Sequence, residues 1–275
     1  MKHIAALVVF LALSACSRAP APGEALRSAC LDDEDAAPQA QIQSCTRYLA
    51  ETRLSPAERA GALLQRAYLK EQAQQADAAL ADYNAAVAAD PNDANAYIWR
   101  RAFYRNRGDY RRALADASMA IRLEPNSANN YSARASIYDE DLHDYQHAIE
   151  DLNKAVELSS AGYLFNDRCW VRAKARRALD LALADCERAV AAMPNNANVL
   201  DSRALAHFQL GDYQAAFADY DAAVRRQEGN GHSLYGRGVA QLRLGRSAEG
   251  QADIAQALKQ DEGLAALYAS YGVAP

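Results

Sequence analysis

The sequence predicts an all-α protein, a stack of about six two-helix hairpins, and three observations support that class. Ala, Leu, Arg, Asp, Gln and Glu dominate the 275 residues, and only 8 prolines and 13 glycines interrupt them. Such residues lose little conformational freedom in a helix. An arginine and an aspartate each recur six times at spacings of 34 or 35 residues. Small residues recur with the same period, as expected where helical hairpins stack on one another.

Four columns of matching residues define the repeat. Arginine stands at Arg66, Arg100, Arg134, Arg168, Arg203 and Arg237, and aspartate at Asp82, Asp116, Asp151, Asp185, Asp219 and Asp253. An alanine follows each aspartate by four residues, at Ala86, Ala120, Ala155, Ala189, Ala223 and Ala257, and a small residue precedes it by three, at Ala79, Ala113, Ala148, Ala182, Ala216 and Gly250. Small facing residues let two antiparallel helices approach closely, near the lower end of the roughly 8–10 Å that separates packed helix axes.

Turn and stop signals divide each period into two helices. Gly108 and Gly211 mark turns inside a unit, whereas Pro91, Pro125 and Pro194 end second helices, because proline cannot continue a helix. A single hairpin buries too little apolar surface to be stable alone, so the units are expected to stack. We place the six units at residues 60–93, 94–127, 128–161, 162–196, 197–230 and 231–264.

These columns resemble the signature of the tetratricopeptide repeat family. In the first unit the family's small, alanine, aromatic, alanine and proline positions fall on Ala67, Ala79, Tyr83, Ala86 and Pro91. The resemblance covers residues 60 to about 264 and implies an α-solenoid that binds other proteins on its concave face. Arg101 departs from the pattern at a small-residue position, which predicts a splayed second unit. Other departures are Ser160, Glu228 and Glu262 in place of the terminal proline, and one-residue insertions near Leu142 and in residues 174–181.

Helical caps are expected at both ends, because an open-ended solenoid needs polar end surfaces for solubility. Residues 24–59 form the predicted N-terminal capping hairpin, and residues 265–275 form the predicted C-terminal cap. The stretch from Gly263 to Tyr271 is expected to be a last helix that covers the sixth unit.

The first sixteen residues differ in pattern from the repeats. Lys2 precedes an apolar run at 4–13, which is shorter than the roughly 20 residues that a membrane-spanning helix needs, so residues 1–15 are predicted to be a cleaved signal peptide. The segment Leu13-Ser14-Ala15-Cys16 is similar to a lipobox, which implies cleavage before Cys16 and acylation of that cysteine with chains such as palmitate. An ordinary signal peptide with an incidental cysteine is the alternative.

Lipidation would place the chain in a bacterial envelope. Two or three acyl chains anchor a protein stably, because each buried CH₂ contributes about 0.8 kcal/mol. By resemblance to enterobacterial sorting, Ser17 after the cysteine favours the inner leaflet of the outer membrane, with the protein facing the periplasm. Residues 16–23 are rich in proline and alanine and are expected to be an extended tether.

The remaining four cysteines form two local pairs, Cys30 with Cys45 and Cys169 with Cys186, at separations of 15 and 17 residues. An even number in an exported protein favours disulfides, and each would close a loop worth about 3 kcal/mol. Free buried thiols are the alternative. Neither pair has the C-x₂₋₄-C spacing of a structural zinc site or the C-x-x-C of a redox site, so we expect no metal and no cofactor.

The repeated arginines and aspartates have a structural rather than a catalytic interpretation, because six copies of one catalytic site would be unusual. Each aspartate precedes the arginine of the next unit by 17 or 18 residues. We therefore expect partly buried ion pairs that bridge neighbouring units and fix the stacking register. Pairing within one unit is equally compatible with the sequence.

The family resemblance places binding residues on the concave face, which the first helices of the units line. The candidates are Tyr68, Ile98, Trp99, Arg105, Asn129, Asn166, Trp170, Asp201, Phe208, Tyr235 and Arg243. Aromatic side chains beside asparagine and arginine are typical of binding hot spots. The alternative is that Trp99 and Trp170 are partly buried packing residues.

These features predict a non-catalytic scaffold that gathers envelope proteins or peptides on its concave face. A net charge of −5 without a basic block argues against nucleic acid. Because the sequence has no recognisable nucleophile motif and no glycine-rich phosphate loop, we expect neither an enzyme nor a small-molecule substrate. The alternative function is a piloting lipoprotein that assembles a secretin or a pilus component.

Overall fold

The computed structural model describes residues 22–33, 35–51, 53–227 and 229–275, which form fifteen α-helices and no strand. The predicted all-α class is confirmed. The predicted signal peptide, Cys16 and Glu228 lie outside the described residues. Within the described residues, no helix is both long enough and apolar enough to cross a membrane. The chain separates into two compact parts, which we call the first part (Met1–Pro91) and the second part (Asn92–Pro275).

The first part contains two helical hairpins. Its helices are α1 (Pro22–Leu31), α2 (Pro38–Leu49), α3 (Pro56–Gln72) and α4 (Ala76–Ala89). A disulfide between Cys30 and Cys45 joins α1 to α2, with a Cα separation of 4.5 Å. The capping box before α3 is present, since the backbone N–H of Glu58 donates to the Ser55 hydroxyl and the N–H of Ser55 donates to the Glu58 carboxylate. α1 begins at Pro22, inside the predicted tether, because proline is favourable in the first turn of a helix.

The second part contains five hairpins and a final short helix. Its helices are α5 (Ala94–Arg105), α6 (Tyr110–Leu123), α7 (Ala128–Ser136), α8 (Tyr145–Leu158), α9 (Gly162–Ala175), α10 (Leu179–Ala192), α11 (Ala197–Gln209), α12 (Tyr213–Arg226), α13 (Gly231–Arg243), α14 (Ser247–Gln260) and α15 (Leu264–Ser270). Each second helix packs on the first helix of the next hairpin, so the five hairpins stack in chain order.

The two predicted insertions are absorbed in different ways. α7 continues into a π-helical turn at Ile137–Asp141, in which the N–H of Leu142 donates to the carbonyl of Ile137, so the extra residue widens the end of the helix. The second insertion lies between α9 and α10, where Arg176 and Ala178 adopt positive φ angles of 52° and 47°. Both changes leave the hairpins of the third and fourth repeats intact.

The small-residue columns allow close helix packing, as predicted. A methyl group added at Gly238 on α13 would lie 2.8 Å from the carbonyl oxygen of Gly250 on α14. The expectation that Arg101 splays the second repeat is wrong, because α5 and α6 pack together as closely as α11 and α12 do. Arg101 is accommodated with its Nη1 atom buried and without a hydrogen-bond acceptor, and this burial lowers the pKa of its guanidinium.

Candidate functional site

Each repeated arginine pairs with the aspartate of its own repeat. In all six described pairs the arginine Nε and Nη2 atoms donate to the two carboxylate oxygens at 2.6–2.9 Å. The prediction that these aspartates bridge neighbouring repeats is therefore wrong. The hairpin brings residues 16 or 17 apart to face each other across two closely packed helices, and the planar guanidinium suits a two-point contact with one carboxylate.

The arginines nevertheless link neighbouring repeats through the remaining nitrogen, Nη1. In three repeats it donates to a side chain two residues beyond the aspartate of the preceding repeat: Arg134 to Ser118 at 3.0 Å, Arg168 to Asn153 at 3.0 Å and Arg237 to Asp221 at 2.9 Å. This polar column was missed in the sequence, although its constant offset from the aspartate would have revealed it. The repeated arginines therefore join the two helices of each hairpin and, in these three repeats, also link the hairpin to the preceding one.

In several of these pairs the partner side chain favours the charged form. Hydrogen bonds to their aspartates raise the pKa of Arg100, Arg134, Arg203 and Arg237. Burial by itself would raise the pKa of Asp82, but hydrogen bonds from Arg66 and Lys70 outweigh it, and the pKa lies below its usual value. These ion pairs therefore join the two helices of each hairpin.

The fourth repeat carries several cross-links between its two helices. Asp185 accepts hydrogen bonds from Arg168 and also from Arg172, whose Nη1 lies 2.5 Å away. A disulfide joins Cys169 on α9 to Cys186 on α10, with a Cα separation of 5.4 Å and both side chains buried. The predicted disulfide pairings are thus present in both hairpins, and they act as structural cross-links.

The structure divides the predicted binding residues by exposure. Four of them are exposed: Tyr68 in the first part, and Trp99, Asn129 and Arg243 in the second part. Four are half-buried, namely Ile98, Arg105, Asn166 and Trp170. Three are buried, namely Asp201, Phe208 and Tyr235. Phe208 and Tyr235 were wrongly predicted as surface residues, since they are 6 % and 1 % exposed. The guanidinium of Arg105 is already engaged inside the protein, because it forms ion pairs with Glu140 and Asp141 at the end of the third repeat's first helix.

The C-terminal segment, residues 264–275, explains this burial. Instead of covering the sixth repeat alone, it crosses the first helices of repeats six, five and four. The centroid of the Tyr268 ring lies 4.9 Å from that of Tyr235, and the rings of Tyr271 and Trp170 pack edge to face with their centroids 5.8 Å apart. Three hydrogen bonds hold it: Tyr268 to the His232 carbonyl at 2.8 Å, Gln209 to the Tyr271 carbonyl at 2.6 Å and Arg243 to the Ala274 carbonyl at 2.9 Å.

Beside this segment two cavities open among α7, α9, α11 and α13; we call this face the groove. The first cavity, of about 90 Å³, is lined by Ser132, Ala135, Ser136, Asp139, Glu140, Leu152, Asp167, Trp170 and Val171. The second, of about 250 Å³, is lined by Asn166, Trp170, Asn198, Asp201, Ser202, Asn230 and His232. Trp170 lines both cavities, and three predicted binding residues (Asn166, Trp170 and Asp201) meet at the second one.

Two carboxyl groups in the groove form no ion pair with an arginine or lysine among the described residues. Asp167 accepts a hydrogen bond from Ser132 at 3.4 Å, and Asp201 accepts one from Ser233 at 2.6 Å. Burial raises the pKa of each carboxyl to about 6, against the opposing effect of these hydrogen bonds. Within the described ranges, no group of three or more His, Cys, Asp or Glu side chains is arranged to hold a metal ion.

Replacing Asp201 with asparagine is expected to stabilise the protein at pH 7.5 by up to about 3 kcal/mol. The folded pKa of about 6 lies above the ordinary value of 3.8, so the folded state binds more protons than the unfolded state between pH 4 and 6. Stability from this group is therefore lost as the pH rises through that window. Asparagine carries no charge and still accepts a hydrogen bond from Ser233. Urea denaturation at pH 7.5 and pH 4.5 measures the difference, which should be much smaller at pH 4.5; an equal gain at both values would contradict it.

Comparisons with known proteins agree with the repeat geometry. Residues 128–161 and 197–230 match the family model described as tetratricopeptide repeat. The fold is similar to that of a tetratricopeptide repeat protein from Parabacteroides merdae, with a TM-score of 0.67 and 18 % identity over 91 % of this chain and 98 % of that one. No curated protein sequence matches the chain significantly.

Two further solved structures share the fold. PilW, a widely conserved type IV pilus biogenesis factor, has a TM-score of 0.64 and 19 % identity over 76 % of this chain and 97 % of its own. YrrB, a tetratricopeptide repeat protein with an unusual peptide-binding site, has a TM-score of 0.52 and 23 % identity over 68 % of this chain and 96 % of its own. At these identities the likeness concerns the fold.

Proposed function

Because the chain is a tetratricopeptide-repeat protein, we propose that it is a non-catalytic scaffold that binds a segment of a partner protein in the groove. The observation that carries the proposal is the pair of cavities on either side of Trp170, which are lined by the first helices of successive repeats. A partly exposed indole beside polar side chains is typical of a binding hot spot. The peptide-binding site of YrrB, a protein with the same fold, supports this choice.

We further propose that the scaffold is held at a bacterial envelope by a lipid on Cys16. The lipobox-like sequence before Cys16 supports the anchor, and the pairing of all four other cysteines fits an exported protein, because disulfides persist in oxidising compartments. The partners would then be envelope proteins, with the outer membrane's inner leaflet as the anchoring site.

The second candidate is a piloting lipoprotein for a pilus or secretin component. The likeness to PilW, a pilus biogenesis factor, favours it, since the two chains share a fold over 97 % of PilW's length. Both candidates use the groove as a protein-binding surface, and the captured partner separates them: a secretin or pilus protein supports the pilot, and other envelope proteins such as peptidoglycan enzymes support the adaptor.

Site-specific photocrosslinking of the full chain in intact cells tests the proposal. A benzophenone amino acid at Asn198, an exposed residue on the edge of the larger cavity, is expected to give a discrete adduct with a partner protein. The matched control is the same group at Leu181, which is 56 % exposed on α10, a second helix. Identical adducts at both positions, or none at Asn198, would contradict groove binding.

The anchor is tested in the same cells. The Cys16→Ser variant cannot be acylated, so it is expected to leave the membrane fraction, whereas the wild-type chain stays with the membranes. Retention of the variant in the membrane fraction would contradict the lipid anchor and leave the groove result unaffected.

A further inference from the structure

Asp201 is an exception among the buried aspartates of the described chain. Each of the others has an arginine or lysine partner: Asp82, Asp116, Asp139, Asp151, Asp185 and Asp219. Asp201 is 6 % exposed, and the side chain that donates to it is the neutral hydroxyl of Ser233. An ionised carboxylate at such a position is unfavourable unless a cation reaches it.

The larger cavity contains hydrogen-bond acceptors that need donors. Asp201 lines it, and so does Asn166, whose Oδ1 atom is buried and accepts no hydrogen bond. The side-chain carbonyl oxygen of Asn230 is already used, because it caps α13. The indole of Trp170 forms one wall, and Lys174 Nζ already lies 5.4 Å from the centroid of its ring, as expected because the face of an indole attracts cations. A positively charged group with several N–H donors fits this set of acceptors.

The smaller cavity repeats the pattern one helix away. Asp167 on α9 lines it without a cationic partner, and its other acidic residues are already neutralised, Asp139 by Lys174 and Glu140 by Arg105. Neighbouring packed helices lie about 8–10 Å apart. A segment in the polyproline II conformation covers that distance in about three residues, at roughly 3.1 Å per residue, and its three residues per turn place every third side chain on the same face. The two unpaired carboxyls therefore match basic side chains at positions i and i+3 of a segment in that conformation.

We propose that the groove binds a basic segment of the partner protein, with one arginine or lysine side chain on Asp201, a second on Asp167, and Trp170 packed between them. This rests on the proposed function and names the chemistry of the bound segment. The cations of the bound segment would pair with these two carboxylates, which form no ion pair with an arginine or lysine of the protein. Both carboxyls hold a pKa near 6, so at neutral pH they are ionised and ready to receive a cation.

Fluorescence anisotropy with three labelled twelve-residue peptides tests the proposal on the mature full chain at pH 7.5. The peptides carry arginine, glutamine or glutamate at every third position, with alanine and serine between. We expect the arginine peptide to bind at least tenfold more tightly than the glutamine peptide, and the glutamate peptide not to bind. Asp201→Asn and Asp167→Asn should each weaken the arginine peptide at least tenfold.

The variants separate recognition from folding. Asp201→Asn is expected to be more stable than the wild type, so a loss of binding in this variant cannot come from unfolding. Asp180→Asn removes the same charge from an exposed position on α10 and should change the affinity less than twofold.

Other outcomes overturn the inference. Equal binding of the arginine and glutamine peptides, or no effect of Asp201→Asn on affinity, would reject the inference that the groove binds a basic segment. The proposal that the groove binds a protein is tested separately by the crosslinks at Asn198. Spermidine that competes at the same concentration as the arginine peptide would show a polyamine site instead. Failure of all three peptides together with absent crosslinks at Asn198 would reject the proposed function as well.

Discussion

Replacing Asp185 with asparagine is expected to lower the free energy of unfolding by about 3–5 kcal/mol, the range measured when one partner of a buried ion pair is removed. Asp185 is 3 % exposed and accepts hydrogen bonds from Arg168 and Arg172. Asparagine has nearly the same shape, so the change leaves two adjacent guanidinium groups in the interior without a counter-charge. The measurement is urea denaturation followed by circular dichroism at 222 nm.

The matched control is Asp180→Asn on the same helix. Asp180 is exposed in the first turn of α10, where a carboxylate contributes only through the helix dipole, so the expected loss is below about 1 kcal/mol. A loss below about 0.5 kcal/mol for Asp185→Asn would show that the pair contributes no more than a surface salt bridge.

Replacing Tyr268 with alanine is expected to release the C-terminal segment and to lower the free energy of unfolding by about 3–5 kcal/mol, the usual loss for truncating a buried aromatic residue. Tyr268 is 1 % exposed, packs on Tyr235 and donates to the carbonyl of His232. Its removal leaves a cavity over α13 and one carbonyl without its donor. Hydrogen exchange is expected to become fast throughout residues 264–275.

The control is Tyr268→Phe, which keeps the ring and loses only the hydroxyl, so a loss of about 1 kcal/mol is expected. Release of the segment also uncovers Trp170, whose ring packs edge to face with that of Tyr271. In a Trp99→Phe background, Trp170 is the remaining tryptophan, and its fluorescence should shift to the red in the alanine variant alone. Unchanged emission and slow exchange in Tyr268→Ala would show that the segment is held by other contacts.

The repeat pattern was readable because it depends on local rules. Helix type, turn positions and the small columns follow from spacings within one unit, and each of these is repeated along the chain. The disulfide pairs were readable for the same reason, since Cys169 and Cys186 lie within a single hairpin at a separation of 17 residues. Such contacts need no knowledge of how distant parts of the chain meet.

The partner of each aspartate was not fixed by spacing. Asp116 is 16 residues after Arg100 and 18 residues before Arg134, so both arginines were compatible with the sequence. The structure selects Arg100, because the facing helices of one hairpin present the guanidinium with its two parallel N–H groups toward the carboxylate. The neighbouring arginine reaches Ser118 instead, with a single nitrogen.

The binding surface was the least predictable feature. Positions carried over from the family placed Phe208 and Tyr235 in the groove, and they do lie on first helices, but residues 264–275 fold over that part of the face. Such a contact joins residues 30 or more positions apart, as in the pair of Tyr268 with Tyr235, and no periodic signal announces it.

By itself, the sequence determined the all-α class, the two-helix repeat, the disulfide pairs and which arginines and aspartates form ion pairs, because these depend on local periodicity and helix chemistry. Only the tertiary structure decided which arginine each aspartate binds, which aromatic residues are covered by the C-terminal segment, and which two carboxyls are left without a cation. The physical reason is that burial and counter-charge are set by the sum of non-local contacts around a group. Two aspartates that both lie in helices of the repeat can therefore differ in whether a cation lies beside the carboxylate.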